Sequence, residues 1–126
     1  SDVNFCKLLD YHKSHGKQAT LTATRPPGRY GALKIKDNGV VDSFQEKPDG
    51  DGSWINGGFF VLNTKVIDRI SGDLISWEDD PLSGLANDKE LAAYKHSGFW
   101  QPMDTLREKN MLNNLWEDGN APWKVW

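Results

Sequence analysis

The spacing of apolar positions changes period several times along the chain. Phe5, Leu8, Leu9 and His12 recur at i, i+3, i+4 and i+7, the signature of one helical face. This predicts a helix from Asp2 to His15, opened by Ser1-Asp2 as a cap and closed by Gly16 just past its end. From Ala19 to Thr24 the period drops to two. Leu21 and Ala23 alternate with stiff β-branched threonines, which predicts a strand. Pro26-Pro27-Gly28 interrupts that run. Leu33 and Ile35 then alternate with Ala32, Lys34 and Lys36, the pattern of a strand with one buried face. Asp37-Asn38-Gly39 tolerates positive φ, and a second strand from Val40 to Gln45 completes a hairpin.

Farther on, Ser53 to Asn63 is the most apolar stretch. Phe59-Phe60-Val61-Leu62 shows no alternation, so a central strand covered on both faces is expected. Thr64 is read as the cap of a short helix with Val66, Ile67 and Ile70 inward. Asp80-Pro81 opens another, with Leu82 and Leu85 inward. A short strand is expected from Leu91 to His96. A last helix begins near Thr105 and runs through Leu112, Leu115 and Trp116.

Composition narrows the possibilities. With 126 residues, 37% of them hydrophobic, the chain can build one modest core and one domain, residues 1–126. A net charge of −3 argues against a nucleic-acid partner, which would need a basic face. No apolar run approaches the roughly 20 residues of a membrane span. No leader pattern opens the chain, so the cytoplasm is the expected location. Cys6 is the single cysteine and is expected to be a plain buried or half-buried helix residue. Six tryptophans are many for this length, and Trp123 and Trp126 near the end suggest packing against further chain or another subunit.

Three stretches carry candidate chemistry. An antiparallel hairpin brings the start of one strand beside the end of the other. Tyr30-Gly31 and Glu46-Lys47 should therefore be neighbours. A carboxylate that accepts hydroxyl hydrogen bonds and a compact ammonium suit a phosphorylated sugar; a solvated strand end is the alternative. Gly57-Gly58 within a strand mark a bulge or a close approach, and Asn56 just before them offers an amide. Relief of crowding among the aromatics would explain the same glycines. Asp104 stands where a helix cap belongs, which its own chemistry favours; the alternative is a Mg²⁺ ligand, completed by substrate phosphates, water and a second ligand from elsewhere. His12 and His15 have the spacing of a metal pair, although core packing and helix capping account for them too. Asp49-Gly50-Asp51-Gly52 lacks the later ligands of a calcium loop and reads as a turn.

Four separated segments, RPPGRYGALKI, SFQEKP, INGGFFVLN and GFWQPMDTLRE, together resemble the sugar-nucleotide pyrophosphorylase family, in its cytidylyl-transferring branch. The resemblance covers essentially the whole chain. It implies an α/β, mixed-sheet nucleotidyltransferase (Rossmann-like) fold, of which this chain would be the C-terminal half. The implied reaction joins CTP and α-D-glucose 1-phosphate into CDP-glucose and pyrophosphate, with Mg²⁺. Glu46 and Lys47 match the family's sugar and phosphate contacts, and Tyr30 and Gly31 its loop beside the sugar. Asn56 and Gly57 fall where the next strand meets the hexose. Asp104 matches the second metal aspartate, with Trp100 packed nearby. The family's glycine-rich triphosphate loop and its first metal aspartate have no counterpart here. The resemblance thus implies the sugar-binding portion of an enzyme, inactive alone. Its partners would be glucose 1-phosphate or CDP-glucose, the missing N-terminal half, and other subunits of a homo-oligomer. A non-catalytic sugar-phosphate-binding or assembly module is the alternative.

Overall fold

The computed structural model describes residues 1–28, 32–46 and 53–126. They form two compact units. One comprises Asn4–Ala23 and Asn56–His96; the other comprises Ser1–Val3, Thr24–Ile55 and Ser97–Trp126.

In the first of these units, helix α1 spans Phe5–His15. Its cap is Asn4, whose Oδ1 accepts the Lys7 N–H at 2.9 Å, rather than Ser1-Asp2. Asn4 sits one residue before the first helical position, where its side-chain oxygen satisfies an orphan first-turn donor. Gly16 closes the helix in the left-handed region at φ 69°, as its position predicts. Leu8 is buried, but Phe5 and Leu9 are exposed and Cys6 is exposed as well. The apolar stripe is thus covered only in its middle.

Strands β1 (Ala19–Thr24), β4 (Ile55–Leu62) and β5 (Leu91–Lys95) form a sheet in the order β4-β1-β5. β1 and β5 run parallel, with Ala19 opposite Leu91 and Thr22 opposite Tyr94. The central strand among the described residues is therefore β1 and not the aromatic run in β4, which lies at one side and keeps Leu62 40% exposed. The small alanines and threonines of β1 allow cover on both faces: Ala19, Ala23, Thr20, Thr22 and Thr24 are all buried. Below the sheet, Ala19, Val66 and Leu85 form the core, joined by Trp77 and Leu91. Trp77 meets Phe60 edge-on at 5.5 Å.

Val66 comes from a 3₁₀ helix, Thr64–Arg69, capped by Asn63 rather than Thr64. Three residues per turn present only one apolar position inward, so Val66 is buried while Ile67 is 66% exposed. Helix α2 (Asp80–Asn87) starts with Pro81 in its first turn and buries Leu85; the cap position is Asp79, which makes no side-chain capping bond.

In the other unit, β2 (Ala32–Ile35) and β3 (Val41–Gln45) make the expected antiparallel hairpin, with Ala32 opposite Gln45 and Leu33 opposite Phe44. Gly39 turns the chain at φ 81°, its N–H donating to Lys36 at 2.8 Å. A register shift follows Lys34, so Ile35 faces Val41 and Asp42 is the extra residue of a bulge. Lys36 pairs with Asp42 at 3.0 Å. The hairpin's expected buried face is not covered among the described residues: Leu33, Ile35 and Phe44 are all more than half exposed. Helix α3 (Leu106–Glu117) follows, and Phe99 packs on Trp123 at 5.6 Å. Trp123 is thereby half-buried, whereas Trp126 remains 81% exposed. No described helix is long and apolar enough to cross a membrane.

Candidate functional site

The segment that leads into α3 is fixed by a reciprocal cap. Thr105 accepts the Glu108 N–H on its hydroxyl at 3.2 Å. Glu108 reaches back with one carboxylate oxygen and accepts from both Asp104 N–H and Thr105 N–H, each at 3.0 Å. This is a capping box of the form T-x-x-E. Glu108 is buried, at 9% exposure, because all of this bonding is internal. The cap expected at Asp104 therefore belongs one residue later. The spacing Thr105–Glu108 carried that signal in the sequence, and the aspartate before it masked it.

The correction bears on chemistry. Asp104 contributes its backbone N–H to the box, and its carboxylate is not the helix cap. The residue is exposed. Its oxygen donors are thus presented at the entrance to the helix, where a hard cation would find a suitable ligand. Among the described residues, no group of three or more His, Cys, Asp or Glu side chains converges on one point. Among the described residues, one carboxylate is offered to a metal here, and the remaining positions would fall to phosphate oxygens and water.

Beside this cap lies a cavity of about 390 Å³. Pro26, Pro27 and Gly28 form one wall; Gln101, Pro102 and the first turns of α3, including Arg107, form the other. The prolines restrict the segment after β1, since their ring fixes φ. Arg25 stacks over the Trp54 ring at 4.8 Å. Arg107 supplies the cavity's one positive charge among the described lining residues. Sequence reading missed it, because a single arginine on a helix has the pattern of an ordinary solvated position.

The other expected site residues fall on separate stretches. Trp100, half-buried, shares the segment of Asp104. Glu46 directly follows β3 and is exposed. Asn56 and Gly57 lie in β4; Gly57 is buried and Asn56 exposed. Asn56 Oδ1 accepts the Gly58 N–H at 2.9 Å, and Gly58 adopts φ 83°. That local turn leaves the amide NH₂ of Asn56 as its outward donor. Tyr30, Gly31 and Lys47, and the Asp49–Gly52 stretch expected to turn, lie outside the described residues.

Comparison with known proteins gives the chain a family. Glucose-1-phosphate cytidylyltransferase of Salmonella typhimurium is 61% identical over 126 residues, covering all of this chain and 49% of that protein. The protein of the same name from Salmonella typhi matches at the same level. The chain thus spans about half the length of the curated relatives it matches. Among solved structures, a Bacillus anthracis protein described as a glucose-1-phosphate thymidylyltransferase superposes with a TM-score of 0.57 at 16% identity, over 98% of this chain and 50% of that one. That likeness is one of mixed α/β fold. The family model described as nucleotidyl transferase matches residues 1–118. With almost its whole length matched, the chain belongs to the nucleotidyl transferase family.

Proposed function

We propose that this chain supplies the sugar-phosphate side of an enzyme that makes CDP-glucose and pyrophosphate from CTP and α-D-glucose 1-phosphate. The 61% identity to a cytidylyltransferase supports the reaction class and the choice of base and sugar. Within the chain, one observation carries the reading: the capping box takes the helix entrance for Thr105 and Glu108, so Asp104 is not needed as a cap.

In this reading Glu46 accepts hydrogen bonds from sugar hydroxyls and Lys47 neutralises the phosphate. Asn56 donates its amide NH₂ toward the hexose, and Gly57 lets the sugar approach the backbone. Tyr30 and Gly31 line the same subsite, and Trp100 gives it an apolar wall. The sugar phosphate attacks the α-phosphorus in line and pyrophosphate leaves, a reaction that demands positioning and charge neutralisation more than covalent help. Asp104 is the residue that would hold Mg²⁺, which supplies positive charge against the phosphates when bound. The subsite, the metal role and the place of this chain as the C-terminal half of the enzyme are proposals of one piece. So are its location in the cytoplasm and the assembly into a homo-oligomer, which the exposed Val125 and Trp126 support.

The test is calorimetric titration of the chain with CDP-glucose, with and without Mg²⁺. Wild-type chain should bind at least about tenfold more tightly with the metal. Asp104→Asn should lose that gain while keeping its metal-free affinity, and Lys47→Ala should weaken binding in both conditions. An unchanged Mg²⁺ effect in Asp104→Asn would remove Asp104 from the metal site. No heat from wild-type chain at millimolar CDP-glucose would refute a sugar subsite formed by these residues.

A further inference from the structure

Thr20, in β1, is fully buried, yet its hydroxyl meets two imidazoles. His12 Nδ1 lies 2.8 Å from Thr20 Oγ1, and His15 Nε2 lies 2.7 Å from the same atom. The two rings sit one helical turn apart, edge to face at 5.4 Å. A third contact fixes the direction of the whole chain of bonds. The backbone N–H of Lys17 donates to His15 Nδ1 at 3.0 Å. An atom that accepts cannot carry a proton. His15 therefore holds its proton on Nε2 and donates it to Thr20 Oγ1. Thr20 has a single hydroxyl proton, and the acceptor in reach is His12 Nδ1. His12 then carries its own proton on Nε2.

We infer that Lys17, His15, Thr20 and His12 form a one-way hydrogen-bond relay that locks both imidazoles as neutral Nε2–H tautomers, making the joint between α1 and β1 a pH-sensitive fastening. A proton added at His15 Nδ1 faces the Lys17 N–H, donor against donor. A proton added at His12 Nδ1 leaves the Thr20 hydroxyl accepting from both rings with its own proton unplaced. Either event removes one link of the relay.

Among the described residues, the neighbours of the two rings supply no charge that offsets the added proton. Tyr11 on α1 meets the His15 ring edge-on at 5.1 Å, and Tyr94 on β5 lies against Tyr11 at 5.6 Å. Lys17, in the connecting turn, directs its ammonium to the Lys89 carbonyl at 2.6 Å. Glu90, just before β5, spends one carboxylate oxygen on the Gln18 N–H at 3.1 Å. Among the described residues, no ion pair joins a carboxylate to either ring. In keeping with this, burial, and then the charge of His15, lower the His12 pKa below its ordinary value. A histidine held low in the folded state contributes stability that is present above its unfolded pKa and is lost as pH falls toward its folded value.

The experiment reads the tautomers directly. Long-range ¹H–¹⁵N spectra of the full chain at neutral pH should show His12 and His15 both as Nε2–H, with Nδ1 unprotonated. Nδ1–H at either ring overturns the relay. Denaturant titrations then test its consequence. Between about pH 7.5 and about pH 5.5 the folding constant should fall by up to about tenfold through His12. Thr20→Val, which keeps the shape and removes the hydroxyl, should relax His12 from a single tautomer to the mixture of a free imidazole and reduce that part of the pH dependence. Thr20→Ser should retain both. An unchanged His12 tautomer in Thr20→Val would overturn the proposal. If Thr20→Val does not fold, the wild-type spectra and Thr20→Ser still decide the matter.

Discussion

Strand β1 and the β2–β3 hairpin reverse one another. β1 carries threonines at every second position and buries all three of them. The hairpin carries leucine, isoleucine, valine and phenylalanine and leaves Leu33, Ile35, Val41 and Phe44 at least half exposed. Alternation is present in both. What differs is the cover: among the described residues, β1 has a strand on each side, and the hairpin pairs only within itself. The contrast shows that period predicts which residues share a face, while the neighbours decide whether that face is wet.

The sharpest way to break this contrast is to truncate a leucine in each region. Leu85 is fully buried in the core beside β1, and Leu85→Ala should cost about 2–5 kcal/mol in denaturant unfolding. Leu33 is 55% exposed, and Leu33→Ala should cost less than about 1 kcal/mol. Equal losses would mean that the hairpin is covered in solution.

A smaller effect separates two threonines on the same strand. Thr20 uses its hydroxyl, but Thr22 Oγ1 is buried with no hydrogen-bond partner among the described residues. Thr22→Val should therefore stabilise the chain by about 1 kcal/mol, since it removes an uncompensated polar group at constant shape. Loss of stability would show that the hydroxyl is satisfied. The least effect belongs to the hairpin's ion pair. Asp42 lies 3.0 Å from Lys36 and 3.9 Å from Lys34, all partly exposed. Asp42→Ala should cost under about 0.5 kcal/mol, and the difference should disappear in molar salt.

Much of the fold was legible because it rested on local chemistry. Gly16 as a helix stop, the Asp37-Asn38-Gly39 turn and Pro81 in a first turn each followed from what one residue's backbone permits. The helix starts were less legible, because several cap-competent residues stood side by side. Asn4 prevailed over Ser1-Asp2, Asn63 over Thr64 and Thr105 over Asp104. The central strand was misplaced because apolarity was read as burial, whereas close packing between two neighbours favoured the small residues of β1. For the proposed site, position in the chain pointed to Asp104, Glu46 and Asn56, and the family resemblance alone pointed to Trp100. Both missed Arg107 and the role of Glu108. A cavity wall and a capping carboxylate depend on three-dimensional neighbours that no periodicity encodes.

The box at the head of α3 also bears on how this segment can change over time. Thr105 and Glu108 hold the helix entrance between them, and the backbone of position 104 takes part through an N–H that every residue except proline possesses. The side chain at 104 is thereby relieved of capping the helix. A lineage can exchange it, lose it or regain it while the helix stays intact, so chemistry at that point is free to drift on a scaffold that does not record the change.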